Sequence, residues 1–180
     1  MLREDGIVMD DGTTARMSEN HFIMTTTTVN AESVYRHLEF CHQCLWPEMD
    51  VHLISTTDAW AQIAIAGPNS RKIISKIVDK QFDVSNKNFP FMACKEITIC
   101  GGVLARLFRI SFSGELAYEL SIPTQYASSL VSYLMEIGKE ENIIPYGTEA
   151  LGVMRIEKGH AAGEIGRACV GKECRSRWSP

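Results

Sequence analysis

The chain has 180 residues, 45% hydrophobic and 22% charged, with a net charge of −4 and a pI near 5.7. That length suits one domain or two small lobes with a real core, and the acidic balance argues against a nucleic-acid partner, which asks for a basic face. No apolar run approaches the roughly 18 residues of a membrane span, Met1 to Asp5 lead into Gly6 without an apolar leader, and six cysteines without a regular framework fit reduced thiols, so the expected setting is cytoplasmic.

Residues Gly6 to Thr28 read as two strands turning at Ser18-Glu19-Asn20, the Thr25–Thr28 run being β-branched and polar. Asn30 is a candidate N-cap for a helix from Ala31 to about Leu45, with Val34, Leu38, Cys41 and Leu45 at helical spacing and Pro47 ending it. Val51 to Thr57 and Trp60 to Ala66 alternate as strands. Gly67-Pro68 opens a helix buried through Ile73, Ile74, Ile77 and Val78. Gln81 to Pro90 is polar and is the boundary candidate. Beyond it, Cys94 to Cys100 and Val103 to Phe112 are strands around a Gly101-Gly102 turn. Thr124 opens a helix to about Glu140, with Leu130, Val131, Leu134 and Ile137 on one side. Thr148 opens the last helix and Gly159 stops it. Each half interleaves strands with helices. The expected class is therefore α+β, with a first lobe at 1–88 and a second at 89–180.

The stretch Arg109 to Leu120, R-I-S-F-S-G-E-L-A-Y-E-L, reads as two arms around a turn at Ser113-Gly114. Alternate residues of a strand point to opposite faces. An even connecting loop puts Glu119 on the face of Phe108, Ile110 and Phe112; an odd one puts it on the other. In the even case a carboxylate sits among apolar side chains, which is costly unless it is hydrogen-bonded or paired. Asp10-Asp11 precedes Gly12 in a turn-like setting where carboxylates are ordinarily just solvated. Only one of the two can aim at a site if they lie on a strand. Cys41-His42-Gln43-Cys44 is a C-x-x-C, but Cys41 lies on an apolar stripe, and adding Cys169 and Cys174 gives no common zinc spacing. A buried thiol and no metal are expected. No G-x-G-x-x-G or G-x-x-x-x-G-K-[ST] is present, so no dinucleotide or P-loop site is visible.

The segment F-R-I-S-F-S-G-E-L-A-Y-E resembles the Y-T-G-E-D-G-[aromatic]-E signature of the glycine-cleavage T-protein (aminomethyltransferase) family, in the form found in the α subunit of heterotetrameric sarcosine oxidase. Three further stretches resemble the family in order and spacing: G-I-V-M-D-D-G at Gly6 to Gly12, A-I-A-G-P-N-S-R at Ala64 to Arg71, and P-Y-G-T-E-A-L at Pro145 to Leu151, running on to R-I-E-K-G-H at Arg155 to His160.

The resemblance implies the folate-binding fold of two similar strand/helix lobes, tetrahydrofolate as ligand, and transfer of a one-carbon unit from an oxidised N-methyl amine to give 5,10-methylenetetrahydrofolate. FAD, FMN and NAD would be held on other segments or subunits, and the other sarcosine oxidase subunits would be partners. Family register picks Asp11 as the group that orients or deprotonates the folate amine. Glu119 would hold the pterin edge, accepting two N–H groups at once, with Phe112 and Tyr118 walling the pocket. Three positions depart from the pattern: the family tyrosine is Phe112, an asparagine is Thr27, and an arginine is Leu151. Family members carry a long segment before the D-D motif and a β-barrel after E-K-G. This chain is therefore expected to be truncated at both ends, to lack the barrel, and to be inactive in isolation. Relatives that bind folate without transfer, or that serve RNA modification or iron–sulfur assembly, give the alternative of a non-catalytic module; a fragment that binds nothing is the third.

Overall fold

The computed structural model describes residues 1–3 and 6–160. The contacts divide the chain into two compact units. Of the described residues, one holds Met1–Arg16 and His21–Thr56, the other Met17–Asn20 and Thr57–His160. The units group the chain differently from a division at 1–88 and 89–180, because strand and helix elements before Gln81 join a sheet with strands beyond Pro90.

The first unit holds a helix and most of a short hairpin, whose Met17–Asn20 group with the second unit. Strands β1 (Thr14–Ser18) and β2 (His21–Met24) form a two-stranded sheet around Glu19-Asn20. The segment from Gly6 to Thr13, expected as strand, makes only a bridge between Leu2 and Val8. Helix α1 (Ala31–Phe40) continues into a π-helical turn at Cys41–Leu45 and stops at Trp46, before Pro47. Val34 and Cys41 are buried on its inner face, while Leu45 is exposed. Asn30 occupies the N-cap position without capping, since its side-chain amide is engaged elsewhere. Residues 51–57 form no strand. Alternation alone does not make one, because a strand needs a ladder partner for its backbone groups.

The second unit is organised by an antiparallel sheet in the order β3-β6-β5-β4, made of β3 (Trp60–Ala66), β4 (Cys94–Ile99), β5 (Val103–Phe108) and β6 (Ala117–Pro123). Helix α2 (Ser70–Ile77) carries the chain from one edge of the sheet towards the other, and α3 (Ala127–Ile137) follows β6. Period-2 alternation turns Ile65, Ile97, Ile99, Leu107, Tyr118, Leu120 and Ile122 to one face, where Ile73, Ile74, Ile77, Leu130 and Leu134 of the helices cover them. Each such aliphatic side chain contributes about 1.5–3 kcal/mol on burial. Gly101 and Gly102 both take positive φ in the β4–β5 turn, which glycine adopts without a Cβ clash. A single 3-10 turn at Thr124–Tyr126 leads into α3, and the Thr124 hydroxyl donates to Asp58 O at 2.8 Å rather than capping. Helix α4 (Thr148–Lys158) has Gly147 at its N-cap and ends at Gly159 with φ +88°. The fold is α+β with open sheets, and no closed barrel occurs among the described residues.

Candidate functional site

In the first unit, Asp10 is 2% exposed and its carboxylate gathers four donors. Oδ1 accepts from the Thr27 hydroxyl at 2.7 Å and Asn30 Nδ2 at 3.2 Å. Oδ2 accepts from the backbone N–H of Thr27 at 3.1 Å and of Gly12 at 3.3 Å. Burial pushes this carboxyl up, but the hydrogen bonds from Thr27, Asn30 and Gly12 outweigh it and hold the group below its ordinary value. The backbones approach closely here: a Cβ on Gly12 would fall on the carbonyl oxygen of Thr25. Next to this knot, Asp11 is half-buried and makes no hydrogen bond or ion pair with another described residue. Thr27, a candidate ligand residue, commits both its hydroxyl and its N–H to Asp10. A cavity of about 220 Å³ lined by Asp10, Gly12, Thr14, Met24, Thr25 and Thr26, with Met1, opens beside the corner.

In the second unit, Glu119 lies on the sheet face opposite the hydrophobic core. Its ladder partners are Phe108 on β5 and Ala64 on β3. The even-loop expectation therefore holds for Phe108. The connection is longer than expected, because Arg109 to Leu116 lie outside the strands and Gly114 bends them back with φ +86°. Ile110 and Phe112 are thus off the sheet. Phe112 stacks on His160 with ring centroids 6.3 Å apart. Tyr118 does not share Glu119's face: neighbouring strand residues alternate, and Tyr118 is fully buried in the core, stacked on Phe89 at 6.3 Å. Leu151 sits half-buried in the first turns of α4.

Three residues around Glu119 had no assigned role in the sequence. Gln62 on β3 donates its Nε2 to Glu119 Oε2, and Ser121 donates its hydroxyl to Gln62 Oε1 at 3.5 Å. Burial pushes the Glu119 carboxyl above the ordinary carboxylate range, and the Gln62 hydrogen bond pulls it part of the way back. Tyr146, quoted in the sequence only within a motif, has its hydroxyl raised by burial and by the negative charge of Glu119, which marks the two as neighbours. The signal for Gln62 was present, since it is the one polar residue in W-A-Q-I-A-I-A. What it would meet depends on β3 pairing with β6, which no local pattern reveals. Further along the same face, Arg106 pairs with Glu96 at 3.2 Å and lies over the Trp60 ring at 3.8 Å.

Cys41 is buried with its Sγ 3.6 Å from His37 Nε2, and Cys44 is exposed at the surface of the π-helical turn. The other two cysteines weighed for a metal, Cys169 and Cys174, lie outside the described residues. Among the described residues no three His, Cys, Asp or Glu side chains gather as metal ligands. A groove of about 460 Å³ between the β4–β5 turn and α3 has no carboxylate or cation in its lining. No helix among the described residues is long and apolar enough to cross a membrane.

The GCVT N-terminal domain model matches residues 1–166. The chain belongs to that family. It is 60% identical over 161 residues to sarcosine oxidase subunit alpha of Rhizobium meliloti (strain 1021), covering 89% of this chain and 16% of that protein. It is 28% identical to human mitochondrial dimethylglycine dehydrogenase, over 94% of this chain and 19% of that one. It is also 28% identical to aminomethyltransferase of Thermoanaerobacter sp. (strain X514), over 88% of this chain and 41% of that one. The chain thus spans about a sixth of the sarcosine oxidase relatives and about two fifths of the aminomethyltransferase.

Proposed function

We propose that this chain is the folate-binding part of a sarcosine oxidase α subunit, in which a carbon unit from an oxidised N-methyl amine passes to tetrahydrofolate and leaves as 5,10-methylenetetrahydrofolate. The observation that carries the reading is Glu119: a carboxylate among apolar side chains, turned away from the core, with Oε2 held by an amide and Oε1 free of protein donors among the described residues. A pterin edge offers an amine and a ring N–H side by side, which fits that acceptor pair. Tetrahydrofolate supplies the nitrogen that takes up the carbon.

In this reading Glu119 anchors the pterin, and Asp11 orients the reacting amine or takes its proton. Asp10 holds the turn that presents Asp11. Phe112 supplies an apolar wall. The lost tyrosine hydroxyl and the arginine replaced by Leu151 weaken or reorganise folate contacts. Tyr118 acts from the core rather than at the ligand. FAD, FMN and NAD belong to other segments or subunits, the remaining sarcosine oxidase subunits are partners, and the setting is cytoplasmic.

One observation favours a second reading. Leu151 provides no cation where the family has arginine, which would suit a module that binds folate without transfer. The two readings separate on Asp11→Asn in the full-length protein, with reduced-folate binding and methylenetetrahydrofolate formation measured side by side. Transfer predicts product formation reduced well beyond any loss in affinity. A non-catalytic module gives no folate-dependent product in either form.

A further inference from the structure

Glu119 is a flexible side chain on a sheet face, and an acceptor that must meet two donors at once works best when its plane is fixed beforehand. Two contacts bear on that plane. Gln62 on β3 stands in ladder register with Ser121 on β6, one step along the same face from the Ala64–Glu119 pair. Its Nε2 reaches diagonally to Glu119 Oε2, while its Oε1 accepts from the Ser121 hydroxyl. Ser121 is 7% exposed, so its hydroxyl is anchored in the sheet surface. In the chain Ser121–Gln62–Glu119 the carboxylate, which only accepts, sets which way the amide points, and the Ser121 hydroxyl holds the amide's other end. Turned round, Gln62 would present a carbonyl oxygen to an acceptor-only carboxylate and lose that contact.

We propose that Gln62 is a positioning residue for the candidate folate site, holding the Glu119 carboxylate in the orientation and ionisation state that accepts a pterin edge. This rests on the reading of Glu119 as the pterin anchor. Each carboxylate oxygen has two lone-pair directions. Oε2 takes the Gln62 N–H and keeps one acceptor direction, and Oε1 keeps both. Gln62 therefore does not compete with the ligand. It also stabilises the ionised form against the burial that opposes it. Other titratable groups on this side, among the described residues, are Tyr146, ahead of α4, Cys94 on β4 opposite Phe108, and the Arg106–Glu96 pair on β5 and β4, whose charges offset each other. Gln62 is itself exposed on an edge strand, so it can be replaced without opening the core.

The test is titration of the full-length protein with folinate, a stable reduced folate, from mildly acidic to neutral pH, for wild type, Gln62→Leu, Gln62→Glu and Glu119→Gln. Gln62→Leu is expected to weaken binding roughly threefold to tenfold at neutral pH and to move the acid limb of binding to higher pH, because the carboxylate loses the bond that favours its charge. Gln62→Glu is expected to move the limb further, since a like charge replaces a donor. Wild-type affinity and an unmoved limb in both Gln62 variants, with affinity lost in Glu119→Gln, would overturn the role of Gln62 alone. Weaker binding with an unmoved limb would also overturn it, reducing Gln62 to a structural side chain. Unchanged affinity in Glu119→Gln would instead remove the anchor reading itself.

Discussion

Glu119 on β6 and Phe108 on β5 are direct partners across the antiparallel ladder, so a carboxylate and a buried aromatic ring stand side by side on the sheet face away from the core. Burial is the largest influence on the proton affinity of this carboxylate, and the Phe108 ring is its direct cross-strand neighbour. Phe108→Ala is expected to lower stability by about 3–5 kcal/mol, the usual range for a buried Phe, and to return the Glu119 carboxyl towards its ordinary value as water enters. Denaturant unfolding reads the first effect and carboxylate titration by NMR the second. A destabilised variant with an unchanged Glu119 titration would show that Phe108 is not the shield.

This pair also shows how much was legible beforehand. Alternation and family register identified Glu119 and stated the parity condition that puts it with Phe108. The condition is met, yet by a long bend rather than a tight turn, because Ser111 to Leu116 follow their own hydrogen bonds, including Gly114 N to Ser111 Oγ at 3.0 Å. Ile73, Ile74 and Ile77, Trp60–Ala66 and the Gly159 stop were readable because local patterns determine them. Gln62 and Tyr146 were not, since their proximity to Glu119 arises from partners 57 and 27 positions away. Tyr118 was assigned to the pocket from its place in a motif, although strand alternation beside Glu119 already sends it to the other face. Val51–Thr57 alternates like a strand and has no ladder to join.

Two glycines should respond in opposite directions to alanine. Gly12→Ala places a Cβ on the Thr25 carbonyl and forces the backbones around Asp10 apart. A loss of about 1–3 kcal/mol is expected, as for overpacking. Gly152 is inside α4, where an added Cβ would meet nothing within 4 Å, so Gly152→Ala should gain about 0.5–1 kcal/mol from helix propensity. Unfolding midpoints of the two variants check both signs.

Asp10 is held below its ordinary carboxylate value, so it contributes stability that is fully present above the unfolded value near 3.9 and is lost as pH falls through the lower folded value. Asp10→Asn turns one acceptor oxygen into a donor facing donors. It should cost about 1.5–3 kcal/mol at neutral pH, the range for a hydrogen bond to a charged group. The gap from wild type should close on acidification through the range below the ordinary carboxylate value. A gap that stays constant with pH would show that Asp10 is not ionised in the folded protein.

Glu119 carries the central claim, and folate titration of Glu119→Gln in the full-length protein tests it most directly. The substitution keeps the shape and removes the charge and one acceptor oxygen. In a shielded site the loss is about 1.5–3 kcal/mol, or roughly 10- to 150-fold in affinity for a reduced folate. Because the wild-type carboxyl is raised by burial, wild-type affinity should also fall as pH drops through that raised value, while the variant shows no such limb. Affinity reduced by at least tenfold, with the acid limb gone, is the predicted result; wild-type affinity with the limb intact would contradict the account.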